Sequence, residues 1–189
     1  FTPVIVLCAA TALDDVTAAV ASSPTPYANV EVTSLDNLLH TAARQLGRKP
    51  LQRRDVANEV ADLLRDDAPQ STVFHDKHLN NSAATLEGMT DAVFELANVP
   101  PAWRELHKGI TLPQASAQMT ESVLARLKAS VYTYPEAVDA AVAYVSERSL
   151  IVVGNLSTDA RAEWALDRLT QNSVHVTFDG STPFVERAS

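Results

Sequence analysis

The pattern of hydrophobic positions contains four short apolar runs rich in β-branched residues. They lie at residues 3–10 (PVIVLCAA), 29–34 (NVEVTS), 149–154 (SLIVVG) and 173–178 (SVHVTF). Runs of this length that are apolar nearly throughout are typical of strands buried on both faces of a parallel sheet. The sequence therefore predicts four strands, two near each end of the chain.

The first two runs alternate with stretches of helical period. A helix is predicted after the first strand, with Asp14 and Asp15 in its first turn, where acids favour the helix dipole. After the second strand, either Ser34 or Asp36 can cap an amphipathic helix that Gly47 ends. The apolar stripes of this helix and of the next one are Leu35, Leu38, Leu39, Ala42 and Leu46, then Val56, Val60, Leu63 and Leu64.

The middle of the chain shows helical periodicity only, and the pattern predicts helices near 79–98, 101–108, 113–130 and 135–147. A last helix runs from a Ser157 or Thr158 cap through Leu169, between the third and fourth strands. The predicted fold class is α/β, with helices on both faces of a parallel sheet. Residues 1–66 and 149–189 form this core, and an all-helical subdomain at 67–148 interrupts it.

Composition narrows the class of protein. The 189 residues are 46% hydrophobic with a net charge of −8, which supports a real core and excludes a general nucleic-acid coat, so that only a local basic patch is possible. No run is long enough for a membrane helix. The single cysteine, Cys8, lies in an apolar strand and is predicted to be buried. One cysteine excludes a disulfide within the chain, which suits a protein of the reducing cytoplasm.

Motifs for catalysis are missing from the sequence. None of the five glycines belongs to a phosphate-binding loop, and the third strand ends in Gly154 and Asn155, without a reactive group. The acidic pairs Asp14-Asp15 and Asp66-Asp67, and the His75 and His78 of FHDKH, are weak metal signals. We therefore predict no catalytic residue, no metal and no cofactor.

The one feature of the sequence that favours a binding site is a run of cations between Asp36 and Asp55. A helix dipole explains those near a helix end, but Arg53 and Arg54 oppose the dipole of the helix that follows. Thr33 and Ser34, at a strand end, could add hydroxyl contacts to a phosphate. The predicted DNA-binding residues are thus Arg44, Arg48, Lys49, Arg53, Arg54, Thr33 and Ser34, with a solvated surface as the alternative.

The stretch VEVTSLDNLLHTAARQLGRKPLQRRDVANEVADLL resembles the segment of superfamily-1 DNA helicases (UvrD/Rep-like) in which a strand ends in a T-F-H-type motif and enters a Leu-rich helix. The later stretch LIVVGNLSTDARAEWALDRLTQNSVHVTF resembles the degenerate helicase-like domain of the AddB/RexB-type subunits of ATP-dependent helicase–nucleases. Thr33 and Ser34 stand where the T-F-H motif begins, Ser34 and Leu35 replacing its Phe and His. Gly154 fits the glycine of the strand-end turn, with Asn155 in place of the aromatic residue.

This resemblance implies a P-loop-helicase-like core (1A-like) with a helical insertion (1B-like) that has lost, or been cut away from, its ATPase groups. The sequence starts at the strand that a Walker A loop would precede, and no Asp-Glu pair ends the third strand. It implies DNA repair or recombination as the setting, with single-stranded DNA and a helicase–nuclease subunit or domain as partners. Two alternatives stay open. One is a structural or protein-interaction module without DNA affinity, and the other is an enzyme of a nucleotide or sugar phosphate that binds at the strand ends near Ala10, Thr33 and Gly154.

Overall fold

The computed structural model describes residues 2–23, 29–66, 83–107 and 114–179. The chain divides into two compact units, Phe1–Leu46 with Ala137–Ser189, and Gly47–Glu136. The strands are β1 Val4–Leu7, β2 Val30–Thr33, β3 Lys49–Pro50, β4 Val131–Tyr132, β5 Ser149–Val153 and β6 His175–Asp179. The helices are α1 Leu13–Ala21, α2 Leu35–Ala43, α3 Arg53–Asp66, α4 Ala83–Asn98, α5 Pro101–His107, α6 Gln114–Leu127, α7 Tyr134–Val145 and α8 Ala160–Asn172.

The first unit contains a four-stranded sheet of order β2-β1-β5-β6 in which every neighbouring pair is parallel. In the central row, Val6 of β1 pairs with Val32 on one side and Ile151 on the other. The chain moves from β1 outward to β2 and later returns to β5 on the other side of β1, so the strand order reverses at β1. The predicted α/β fold class with a parallel sheet is confirmed.

Helices lie on both faces of this sheet. On one face, Val16 and Val20 of α1 line a pocket together with Val4, Val30 and Ile151 of the strands. On the other face, Tyr144 of α7 donates a hydrogen bond to Glu31 of β2, and Leu166 of α8 lies beside Val152 and Phe178. The face covered by α7 and α8 contains the fully buried Ile5 and Leu150. On the opposite face, α1 has no buried residue.

The ends of the helices follow local chemistry. Ser34 is the N-cap of α2, because its hydroxyl oxygen accepts a hydrogen bond from the Asn37 amide at 3.3 Å. A turn of 3-10 helix continues α2 to Leu46, and Gly47 then ends it with a positive φ of 65°. The predicted Ser157 or Thr158 cap of the last helix is wrong: Asp159 caps α8 by accepting from the Ala162 amide.

The reason for this shift is a turn that precedes the helix. The Asn155 side-chain oxygen accepts a hydrogen bond from the Ser157 amide at 3.0 Å, which is an Asx turn. This turn competes with helical hydrogen bonding at Ser157, so the helix begins later, where Asp159 has the extended backbone of an N-cap.

The second unit has a core of its own. Val56 and Val60 of α3, Val93 of α4 and Val123 of α6 are all fully buried in one cluster, which Val131 of β4 joins. The cluster explains why α3 belongs to this unit, although the sequence pattern predicts that residues 1–66 form part of the α/β core. The boundaries of the two units follow Leu46 and Glu136, whereas those drawn from the sequence follow residues 66 and 148.

The all-helical character predicted for the insertion is not confirmed. Lys49 and Pro50 of β3 pair in parallel with Val131 and Tyr132 of β4. A two-residue strand is too short to leave an alternating pattern, and Lys49 and Pro50 are exposed, so neither periodicity nor burial marks them in the sequence. None of the described helices is long and apolar enough to cross a membrane.

Candidate nucleic-acid interface

The seven predicted DNA-binding residues are divided between the two units. Thr33, Ser34 and Arg44 belong to the first unit, and Arg48, Lys49, Arg53 and Arg54 belong to the second. Four of the five cations form one local stretch at the start of the second unit.

Thr33 and Ser34 are buried, with exposed fractions of 7% and 6%. The Ser34 hydroxyl serves as the cap of α2. The Thr33 hydroxyl donates only a long hydrogen bond of 3.4 Å, to the Ser34 carbonyl. Because both side chains are covered, a phosphate could reach them only after the surrounding residues had moved.

Arg48 is held in a structural network. Its Nη1 donates to the carbonyl oxygens of Lys128 and Val131, both at 3.0 Å, and to Oε1 of Glu136 at 2.9 Å. Its side chain is only 18% exposed. The guanidinium thus joins the residues around β4 to the first turn of α7, and it is poorly placed for an external phosphate.

Glu136 completes this network with one half of a capping box. Its Oε2 accepts from the Thr133 amide at 2.8 Å and from the Thr133 hydroxyl at 3.1 Å. Burial opposes ionisation of Glu136, but the Thr133 amide and the Arg48 guanidinium prevail and hold the pKa of its carboxyl below the ordinary value. We define Arg48, Thr133 and Glu136 as the Arg48 clamp.

Lys49 and Arg53 form ion pairs at the surface. The Lys49 ammonium lies 2.8 Å from Oδ1 of Asp55. The Arg53 Nε donates to Oδ1 of Asp91 at 2.5 Å, and its Nη2 lies 3.6 Å from Oε1 of Glu87. Both cationic side chains remain 50% exposed, so a ligand in solution can still approach them.

Arg44 and Arg54 differ from the other cations in their contacts. Both are exposed, and neither forms a hydrogen bond or an ion pair with a side chain in the described ranges. Lys49, Arg53 and Arg54 therefore present positive charge at the start of α3, and we define these three residues as the α3 cations.

Asp55 explains why a helix can begin beside these cations. Its Oδ2 accepts from the Gln52 amide at 3.3 Å while its Oδ1 pairs with Lys49. The hydrogen bond from Lys49 is the main cause of a lowered pKa for Asp55. The negative charge in the first turn offsets the unfavourable position of Arg53 and Arg54 at the positive end of the helix dipole.

The described residues at the strand ends of the first unit include few reactive side chains. Cys8 follows β1 and is 1% exposed, and burial raises the pKa of its thiol. Gly154 follows β5 with a φ of 75°, and the Asn155 side chain is used in its Asx turn. Within residues 2–23, 29–66, 83–107 and 114–179, no three His, Cys, Asp or Glu side chains are grouped as metal ligands would be. His75, His78 and Asp67 lie outside the described residues, as does the side chain of Asp66.

The acidic partners of the cations could not be predicted from the sequence. Glu87 and Asp91 pair with Arg53 across more than thirty residues, and no local pattern marks such a contact. Glu136 is different, because Thr133 and Glu136 have the S/T-x-x-E spacing of a capping box. That spacing could have located the start of α7 and one half of the Arg48 clamp.

In a comparison with known proteins, no protein-family model and no curated protein matches this sequence.

Proposed function

We propose that this chain is a non-catalytic, helicase-like domain of an AddB/RexB-type helicase–nuclease that helps to hold single-stranded DNA during repair or recombination. The observation that carries the proposal is the group of α3 cations. Three positive side chains lie within six residues and are half exposed or exposed. Cations at such spacing can contact successive phosphates of a flexible single strand.

The geometry narrows the predicted DNA contacts. Arg48 has three acceptors within the protein, and Thr33 and Ser34 are buried. We therefore assign the principal contacts to Lys49, Arg53 and Arg54, and regard Arg44 as a separate accessible cation of the first unit. The proposed role of Arg48 is to hold the residues beside this surface in place.

The frame of the first unit supports a helicase-like origin. Its parallel sheet has a strand-order reversal at β1, and the second unit is inserted between β2 and β5. Open parallel sheets bind ligands at such a reversal, where Cys8, Ala9, Gly154 and Asn155 stand in this chain. A motor domain that has lost, or been cut away from, its ATPase groups retains this frame, and such a frame can still hold DNA or a partner.

The test is fluorescence anisotropy of a labelled single strand of roughly 20 nucleotides, long enough to cover one or more binding sites of the usual size. The wild-type chain is compared with Lys49→Gln/Arg53→Gln/Arg54→Gln. A matched control, Lys128→Gln/Arg161→Gln/Arg168→Gln, removes the same net charge elsewhere. The proposal predicts that only the first variant loses binding, and equal loss in both variants would reduce it to a general charge effect.

One observation favours a second function, a protein-interaction module. The α1 face of the sheet contains an open pocket of about 310 Å³ lined almost entirely by aliphatic side chains, among them Val4, Val16 and Ile151. Parallel sheets are normally covered on both faces, and a partner subunit could complete this covering. A module of this kind would show no DNA affinity at about 0.1 M salt, where exposed charges still act over roughly 10 Å. It would instead show a mass that rises with protein concentration in light scattering.

A further inference from the structure

The Arg53 guanidinium is already bound to carboxylates of the same unit. Asp91 accepts a hydrogen bond from its Nε at 2.5 Å, and Glu87 lies 3.6 Å from its Nη2. Glu87 and Asp91 are one helical turn apart on α4 and therefore lie on the same side of that helix. Two carboxylates one helical turn apart offer the guanidinium two negatively charged acceptors, as two neighbouring phosphates would.

All three side chains of this group are accessible. Arg53 is 50% exposed, Asp91 is 55% exposed and Glu87 is 71% exposed. The hydrogen bond between Arg53 and Asp91 is the main cause of both a raised pKa for Arg53 and a lowered pKa for Asp91. Both groups are thus charged at neutral pH, while an ion pair so exposed changes an equilibrium by less than about fivefold. The pair is present but replaceable.

The neighbouring residue provides the contrast. Arg54 is exposed, and it has no hydrogen bond or ion pair with a side chain in the described part of the chain. A phosphate could therefore bind Arg54 without displacing a hydrogen-bonded or ion-paired side chain, whereas at Arg53 it must compete with two carboxylates.

We infer that Glu87 and Asp91 act as an internal competitor for nucleic-acid phosphate, occupying Arg53 until a DNA phosphate displaces them. The inference rests on the proposed function and adds a control on its affinity. Displacement returns two acidic side chains to solvent next to the bound strand, and their repulsion weakens binding. The acids therefore lower the affinity of Arg53 for a phosphate without closing the site.

The test removes the competitor and keeps the cation. Affinity for the labelled single strand is measured for the wild-type chain and for Glu87→Gln/Asp91→Asn. The matched control Asp14→Asn/Glu147→Gln changes the net charge by the same amount at two exposed acids of the first unit. Circular dichroism verifies that each variant is folded, as expected for exposed side chains.

We expect the Glu87→Gln/Asp91→Asn variant to bind about two- to fivefold more tightly than the control. The gain should disappear in an Arg53→Gln background, because the acids then have no guanidinium to occupy. Wild-type binding with no gain over the control would overturn the inference and leave the proposed function standing. Failure of both the wild-type chain and the Glu87→Gln/Asp91→Asn variant to bind would overturn the proposed function as well.

Discussion

The Arg48 clamp should contribute measurably to the stability of the second unit. Arg48→Met removes the charge and the donors while it keeps most of the length of the side chain. The substitution leaves the carbonyls of Lys128 and Val131 and one oxygen of Glu136 without this donor. A hydrogen bond to a charged group contributes about 1.5–3 kcal/mol, and the partial exposure of Glu136 reduces the effect of its charge. We expect a loss of about 2 kcal/mol.

The assay is urea unfolding followed by circular dichroism, with Arg168→Met as the control. Arg168 pairs with Asp139 at 2.8 Å, but the two side chains are 42% and 62% exposed. Loss of such a pair should cost less than about 1 kcal/mol. Equal losses for Arg48→Met and Arg168→Met would refute the reasoning, because burial and the two carbonyl contacts would then have no energetic consequence.

The pH dependence of the free energy of unfolding provides a second test of the Arg48 clamp. The pKa of Glu136 is lower in the folded chain than its ordinary value. Its ionisation therefore contributes stability above the unfolded pKa of about 4.3, and the contribution is lost as pH falls through the folded pKa. The difference between wild type and Arg48→Met should stay constant from about pH 7 to pH 5.5 and shrink below about pH 4. A difference unchanged at pH 3 would contradict the role given to the Glu136 charge.

Three further predictions concern local features. Ser34→Ala should cost about 1 kcal/mol in urea unfolding because it removes the cap of α2, whereas Ser22→Ala, at an exposed position, should cost less than about 0.5 kcal/mol; equal costs would refute the capping role. Thr90→Val should be neutral or stabilising, since the buried Thr90 hydroxyl has no hydrogen-bond partner in the described ranges, and a loss above about 1 kcal/mol would point to an unseen partner for the hydroxyl. Cys8 should react with a thiol reagent at pH 8 on the order of tenfold more slowly in the folded chain than in urea, because burial shields it and raises the pKa of its thiol; equal rates would contradict its burial.

Most of the α/β core could be predicted from the sequence, because its strands and its helices differ clearly in the spacing of their hydrophobic residues. Each of the four apolar runs marks a strand of the sheet, although the last strand ends one residue beyond its run, and the Leu35, Leu38 and Leu39 stripe is buried as the helical spacing predicts. The N-cap of α2 at Ser34 was one of two predicted caps and is confirmed.

What the sequence could not supply are features that depend on distant contacts. The pairing of β3 with β4 joins residues about eighty positions apart through two residues each. The packing of α3 against α4 and α6 is likewise non-local, and for this reason the sequence-based boundary at residue 66 separates α3 from the helices that it contacts.

The cations show the same limit at the level of the site. The sequence shows where the five positive residues lie along the chain, but it does not show which groups surround each of them in the fold. Arg48 lies in an internal network, Lys49 and Arg53 have acidic partners, and Arg54 is exposed. The difference between a structural arginine and an accessible one depends on carbonyls and carboxylates brought together by folding, for which no local motif exists.

The most direct test of the central claim is the salt dependence of single-stranded DNA binding by the wild-type chain and by Lys49→Gln/Arg53→Gln/Arg54→Gln. If the three α3 cations contact phosphates, the plot of log affinity against log salt should fall with a slope of about −2 for the wild-type chain. Any residual binding by the variant should give a plot that is close to flat. A wild-type chain that does not bind, or a slope that the three substitutions leave unchanged, would contradict the proposal that the α3 cations hold single-stranded DNA.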